Sequence, residues 1–75
     1  MMKITEVKVE TVKIDGQIMP KAFTWKDGTR YEVTKVLFYS RSDDGEYEGI
    51  RYTVSFNGAE RFLYLINDRW FVQEA

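Results

Sequence analysis

Five turn-forming dipeptides divide this chain into short segments, and they constrain its fold more than any other feature of the sequence. Each pair joins Asp or Asn to Gly or Asp, residues that tolerate the positive φ angles of tight hairpin turns. The pairs are Asp15-Gly16, Asp27-Gly28, Asp44-Gly45, Asn57-Gly58 and Asn67-Asp68. Because no stretch of about ten residues between them keeps a helical period, the sequence predicts strands joined by short turns.

The composition also favours strands. Val, Ile and Thr number eighteen and aromatic residues twelve, whereas Ala and Leu together number six. Branched and aromatic side chains suit a pleated, half-buried surface. We therefore predict that residues 1–75 form a single small all-β domain, an antiparallel meander of five or six strands that makes a curled sheet or a small, partly open barrel. The predicted strands span residues 3–14, 17–25, 29–40, 48–56, 59–66 and 69–74.

The turn positions predict how the C-terminal strands align. Two-residue loops at Asn57-Gly58 and Asn67-Asp68 place Leu63 opposite both Tyr52 and Val72. One face of this three-stranded unit is then a core face. Its residues are Ile50, Tyr52, Val54, Phe56, Leu63, Leu65, Trp70 and Val72.

The N-terminal strands show two irregularities. A three-residue loop over 26–28 pairs Phe23 with Tyr31 and keeps the aromatic side chains on one side, which a two-residue loop does not. The apolar phase of the first strand changes near Glu10-Thr11. This change predicts a β-bulge, which bends a strand toward barrel closure.

The glycines are expected to differ in their tolerance of substitution. Gly28 and Gly58 occupy tight turns, so we expect them to have positive φ and to resist β-branched replacements. Gly45 and Gly49 flank a longer loop and are expected to tolerate substitution better.

The absence of cysteine and histidine excludes several kinds of chemistry. Without them the chain has no disulfides, no thiolate metal sites, no cysteine nucleophile and no imidazole base. The sequence also lacks a glycine-rich phosphate-binding motif. We therefore predict that this protein is not an enzyme and holds no cofactor.

Targeting signals are also missing from the sequence. The N-terminal segment has no apolar run of signal-peptide length, and the longest apolar run, residues 62–66, is far shorter than a membrane span. We expect a cytoplasmic bacterial protein with no membrane partner.

The acidic segment 42–48 is the one candidate for metal binding. Asp43, Asp44 and Glu46 could offer oxygen ligands to a hard cation. The segment lacks the ligand spacing of a calcium loop, and a solvated hairpin tip explains the same residues. We therefore assign no metal site.

Several spaced residues resemble a known family. The segments are Pro20-Lys21-Ala22-Phe23-Thr24-Trp25, Gly28-Thr29-Arg30-Tyr31-Glu32-Val33, Val36-Leu37, Gly49-Ile50-Arg51-Tyr52 and Trp70-Phe71-Val72. They resemble a family of short bacterial proteins of unknown function with the pattern P-x-x-F-x-W, G-x-x-Y-x-V-x-x-V-L, G-x-R-Y and a terminal W-F. The resemblance covers most of residues 14–72. It implies a bacterial source and a small β domain, and it implies no activity.

Two kinds of function remain for such a domain. The first is a protein-interaction module that docks a protein or self-associates through an apolar sheet face. The second is a single-stranded nucleic-acid-binding small barrel, since outside residues 43–48 eleven basic residues outnumber eight acidic ones.

The candidate patch for either function lies on the second face of the C-terminal unit. Its predicted residues are Arg51, Phe62, Tyr64, Arg69 and Phe71. Two arrangements are open at this stage. Either strands 3–25 fold over these aromatic side chains as a second core layer, or the face stays open as an apolar patch rimmed by arginines.

Overall fold

The computed structural model describes residues 3–42 and 48–73, and these contain seven β-strands. In chain order they are β1 (Ile4–Ile14), β2 (Gln17–Thr24), β3 (Arg30–Glu32), β4 (Lys35–Ser42), β5 (Gly49–Phe56), β6 (Ala59–Ile66) and β7 (Arg69–Gln73). Every pairing between them is antiparallel. The predicted all-β antiparallel class is therefore confirmed.

The predicted number of five or six strands is wrong, because the segment 29–40 forms two strands. The chain changes partner at Val33-Thr34. The Val33 N–H donates to the carbonyl of Lys21 in β2 at 2.9 Å, whereas the Thr34 N–H donates to the carbonyl of Ser55 in β5 at 2.7 Å. No turn dipeptide marks this change of partner, so the sequence pattern predicts one continuous strand over 29–40.

The strand order also differs from a simple meander. The sheet runs β3-β2-β1-β7-β6-β5-β4, so β1 pairs with β7 while β3 and β4 lie at opposite edges. Only Val33 and Thr34 join those two edge strands. Because so short a link cannot span a flat seven-stranded sheet, the sheet curls until its edges approach each other. The result is the curled half-barrel that the sequence predicts as a partly open barrel.

The inner face of this half-barrel holds the core. β1 pairs with β7 through residues 4–7 and with β2 through residues 8–14, and its register shifts at Glu10/Thr11, which confirms the predicted bulge. Phe23 of β2 contacts Phe56 of β5 edge to face, with ring centroids 4.9 Å apart. The buried core residues are Val7, Phe23, Tyr52, Val54, Leu63, Trp70 and Val72.

The predicted registers and turn conformations are confirmed. Leu63 lies opposite both Tyr52 and Val72, and Phe23 lies opposite Tyr31. Gly28 and Gly58 have φ angles of 91° and 76°. These registers fix which side chains share the inner face and which share the outer face.

Gly49 is less tolerant than the sequence suggests. It starts β5, and a Cβ atom built on it would overlap the carbonyl oxygen of Leu65 in β6. The expectation that this glycine tolerates substitution is therefore wrong, because β6 approaches its backbone too closely. Gly45 lies outside the described residues.

Tyr52 occupies the centre of the inner face. Its side chain is fully buried, and its ring lies 5.2 Å from that of Trp70 and 5.7 Å from that of Tyr39. Its hydroxyl donates to the Ile18 carbonyl at 2.6 Å and accepts a bond from Gln17 Nε2 at 3.4 Å. Tyr52 thus connects β5 to β2 across the interior of the half-barrel.

Alkaline pH is expected to destabilise this fold through Tyr52. Burial raises the pKa of its phenol above the ordinary value of 10.0. The unfolded chain therefore ionises first, so the stabilisation is complete below about pH 10 and is lost as the pH rises through the folded-state pKa. Urea unfolding between about pH 8 and pH 11 should show this loss. Tyr52→Phe should remove part of the slope, and identical slopes for the two proteins would contradict the argument.

Candidate interaction surfaces

The structure brings the five predicted patch residues together on the outer face of β5, β6 and β7. Arg51, Tyr64 and Phe71 form one row across the three strands. The Arg51 guanidinium lies 4.7 Å from the ring centroid of Phe62, and that of Arg69 lies 5.7 Å from the ring centroid of Phe71. The patch is therefore two cation–π pairs on either side of Tyr64.

Tyr64 itself is not presented to a partner. It is 1% exposed, and its hydroxyl donates to Gln73 Oε1 at 2.9 Å. Phe62 and Phe71 are half-buried. Tyr64 thus supports the patch from within, while the two phenylalanines form its accessible part.

The strands expected to cover this face lie elsewhere. β1 and β2 continue the same sheet beyond β7. The sheet curls in the other direction, so β2 contacts the inner face of β5 through Phe23 and Ile18. A second core layer of strands 3–25 over the outer face is therefore not what the fold contains.

An ion pair limits what Arg69 can do. Its Nη2 lies 2.6 Å from Glu6 Oε1, and its Nε donates to Glu6 Oε2 at 2.9 Å. The hydrogen bond from Arg69 holds the pKa of the Glu6 carboxyl below its ordinary value of 4.5. In contrast, Arg51 has no carboxylate partner among residues 3–42 and 48–73. Arg51 is therefore the patch arginine whose charge is available.

Sequence reasoning missed the most exposed apolar surface, which lies on β4. Leu37, Phe38 and Tyr39 are 42%, 59% and 41% exposed. β4 is the last strand of the sheet, and no described strand pairs with its outer edge. The apolar run Val36-Leu37-Phe38-Tyr39 was the available signal, but it is equally typical of a strand buried between two layers.

A bulge shapes this edge strand. The register between β4 and β5 shifts between Val36 and Phe38, which leaves Leu37 as the extra residue. Phe38 then lies opposite Thr53, and Thr53 lies opposite Phe62. The exposed ring of Phe38 therefore shares a row with the predicted patch. We call Leu37, Phe38, Phe62 and Arg51 the β4 surface; Tyr39 lies opposite Tyr52 and belongs to the inner face.

A smaller exposed apolar group lies on the β1–β2 hairpin. Beyond Val7, β1 pairs with β2 alone. The exposed residues of this hairpin are Val12, Ile14 and Ile18. They are separate in sequence and strand order from β4 and serve below as a control surface.

A cleft opens where β2 and β3 approach β5, β6 and β7. Its volume is about 380 Å³. Its lining residues are Phe23, Trp25, Tyr31, Phe56, Asn57, Ala59, Arg61, Val72 and Gln73. Three of these aromatic residues, Phe23, Trp25 and Tyr31, belong to the sequence pattern noted above.

The acidic residues Asp43, Asp44 and Glu46 lie outside the described residues. Among residues 3–42 and 48–73, no three or more acidic side chains come together in an arrangement that could hold a metal ion. The same residues include no helix long and apolar enough to cross a membrane. No family model, no curated protein and no solved structure matches this chain.

Proposed function

We propose that this protein is a non-catalytic interaction module that binds an extended segment of a partner protein along β4. The observation that carries this proposal is the outer edge of an eight-residue strand, with which no strand of residues 3–42 and 48–73 pairs and whose central residues are apolar and exposed. Such an edge presents a row of free N–H and C=O groups to an added strand. Large exposed apolar patches typically mark interaction sites.

The β4 edge lacks the usual protection against strand addition. Monomeric proteins protect edges with central charges, prolines or very short strands. In β4 the only charged residues are Lys35 at its beginning and Arg41 near its end, and it contains no proline. Four apolar residues, Val36 to Tyr39, and Ser40 lie between them. The bulge at Leu37 is its one protective feature, and a bulge still permits pairing on both sides.

The charges of this region indicate the chemistry of the partner. Lys35 and Arg41 flank the apolar centre of β4, and Arg51 lies opposite Ser40 on the neighbouring strand. All three are cations, so the complementary segment has an apolar centre with acidic residues near its ends. A second copy of this chain would instead place the same β4 cations on both sides of the new pair. We therefore favour a different protein over self-association.

Adjoining outer-face side chains extend the contact beyond the backbone. Phe38 and Phe62 flank Thr53 in one row, and the Arg51 guanidinium lies over the Phe62 ring. A strand added beside β4 would place alternate side chains beside Phe38. Backbone pairing then supplies affinity, and the aromatic row supplies specificity.

The nucleic-acid alternative has weaker support from the same surface. Base stacking needs accessible ring faces beside free cations. On this face the Arg51 guanidinium lies over the Phe62 ring, so that ring face is not free to stack on a base even though the charge of Arg51 is available, and Arg69 is paired with Glu6. The arrangement suits apolar docking better than stacking of bases.

Selection from a displayed library of random peptides tests the proposal directly. We expect selected peptides to combine apolar and acidic residues and to perturb the amide NMR signals of β4. Phe38→Glu should weaken their binding by about tenfold or more, because it places a charge at the centre of the contact. Ile14→Glu, which changes an equally accessible apolar residue of the β1–β2 hairpin, should leave binding unchanged.

Three outcomes would contradict the proposal. Peptides that bind both variants equally would show that β4 is not the site. Concentration-dependent dimerisation that Phe38→Glu abolishes would identify a second copy as the occupant. Binding of oligo-dT that weakens steeply with salt would indicate phosphate contacts and favour the nucleic-acid alternative.

A further inference from the structure

The cleft beside β2 and β3 has aromatic walls. Phe23 is buried at its base, and its ring lies 5.3 Å from that of Tyr31 and 4.9 Å from that of Phe56. Tyr31, Phe56 and Trp25 are half-buried. Ring faces that are neither fully covered nor fully solvated form a surface on which a flat apolar group can stack.

A cation lies at the rim of this cleft. Arg61 lies opposite Val54 and is two residues away from both Ala59 and Leu63 along β6. Its register position therefore belongs to the inner face. Yet Arg61 is exposed, and its Nη1 donates to the carbonyl of its neighbour Glu60 at 2.9 Å. Among the described residues it has no carboxylate partner. An inner-face arginine without an acid is able to pair with a bound anion.

The rest of the cleft agrees in charge. No Asp or Glu is among the lining residues. Asn57 is the other polar side chain at the rim, since the Gln73 amide is hydrogen-bonded to Tyr64 on the outer face. Arg61 is therefore the one charged residue among the described residues that line the cleft, although the whole chain has a net charge of −1.

The geometry points to a binding site for a small planar aromatic molecule that bears one carboxylate. The aromatic body would stack against Tyr31 and Trp25, and its carboxylate would pair with Arg61. A volume of about 380 Å³ lies within the range of sites for small ligands. This site is separate from the β4 surface, so it stands independently of the proposed partner binding.

NMR titration of the full chain with 2-naphthoate tests this inference. We expect the amide signals of Tyr31, Phe56 and Arg61 to shift. The dissociation constant for 2-naphthoate should be about tenfold lower than that for its neutral analogue 2-naphthylmethanol, because only the carboxylate pairs with the guanidinium. Arg61→Gln should abolish this difference. Arg51→Gln removes an arginine from the outer face and should preserve it.

The contrary results are equally specific. Equal affinity for the charged and neutral ligands would show that Arg61 does not recognise an anion. A preference that persists in Arg61→Gln would place the carboxylate elsewhere, and shifts confined to residues outside the cleft would overturn the site altogether. Because Arg61 is exposed, its variant should melt at nearly the same temperature as the parent protein, and a melt of each variant checks this.

Discussion

Replacing Tyr52 with alanine is expected to lower the free energy of unfolding by about 3–5 kcal/mol, the usual cost of removing a large buried aromatic side chain. A chain of 75 residues has a total stability of roughly 4–11 kcal/mol, so the substitution removes a large share of it and unfolds the protein at the lower end of that range. The ring fills the centre of the inner face between Trp70 and Tyr39. Its removal also leaves the Ile18 carbonyl without its hydroxyl donor.

Two matched variants separate these contributions. Tyr52→Phe keeps the ring and removes the hydroxyl, so it should cost about 1 kcal/mol for the lost hydrogen bond. Tyr39→Ala removes a ring that is already exposed, and it should cost distinctly less than Tyr52→Ala. Urea unfolding followed by circular dichroism measures all three. A Tyr52→Ala protein within about 1 kcal/mol of the parent would show that the half-barrel does not depend on this contact.

The sequence predicted local geometry well, because tight turns impose it. The Asn57-Gly58 loop has only two residues, so it fixes the register of β5 against β6 without reference to the rest of the chain. Asn67 and Asp68 have φ angles of 51° and 63°, and they fix β6 against β7 in the same way. Once these registers are known, alternation assigns Tyr52 and Leu63 to the inner face.

The partners of strands that are distant in sequence could not be predicted in this way. The sequence of residues 4–7 does not identify β7 as their partner, because the backbone hydrogen bonds between two strands are the same whatever the side chains are. The change of partner at Val33-Thr34 depends on that long-range arrangement as well. Without the strand order, no pattern shows that β4 is an edge and that Phe38 is exposed.

In the candidate patch, too, the register was predictable from the sequence and the burial was not. Register correctly placed Arg51 beside Tyr64 and Tyr64 beside Phe71. Burial depends on neighbouring side chains and on sheet curvature, which no turn dipeptide encodes. For this reason the sequence predicted neither the burial of Tyr64 nor the exposure of Phe38.

A single methyl group at Gly49 is expected to cost about 2 kcal/mol or more of stability. Its Cβ would overlap the carbonyl oxygen of Leu65 and would lie 3.2 Å from Ile66 Cγ1. The oxygen belongs to the backbone of β6, so relief requires the two strands to separate at the start of β5. Thermal unfolding of Gly49→Ala measures the cost, and faster hydrogen exchange of the β5 and β6 amides should locate the separation.

Gly58 offers a matched control, because the backbone conformation opposes substitution there, whereas lack of space opposes it at Gly49. A Cβ atom at Gly58 meets nothing within 4 Å, but its φ of 76° is strained for a residue other than glycine. Gly58→Ala should therefore cost about 1 kcal/mol, whereas Gly58→Asn should cost less, since asparagine tolerates the left-handed conformation. At Gly49, asparagine should be at least as damaging as alanine, because the obstacle is space. If asparagine were tolerated better than alanine at both positions, the close approach of β6 to Gly49 would be refuted.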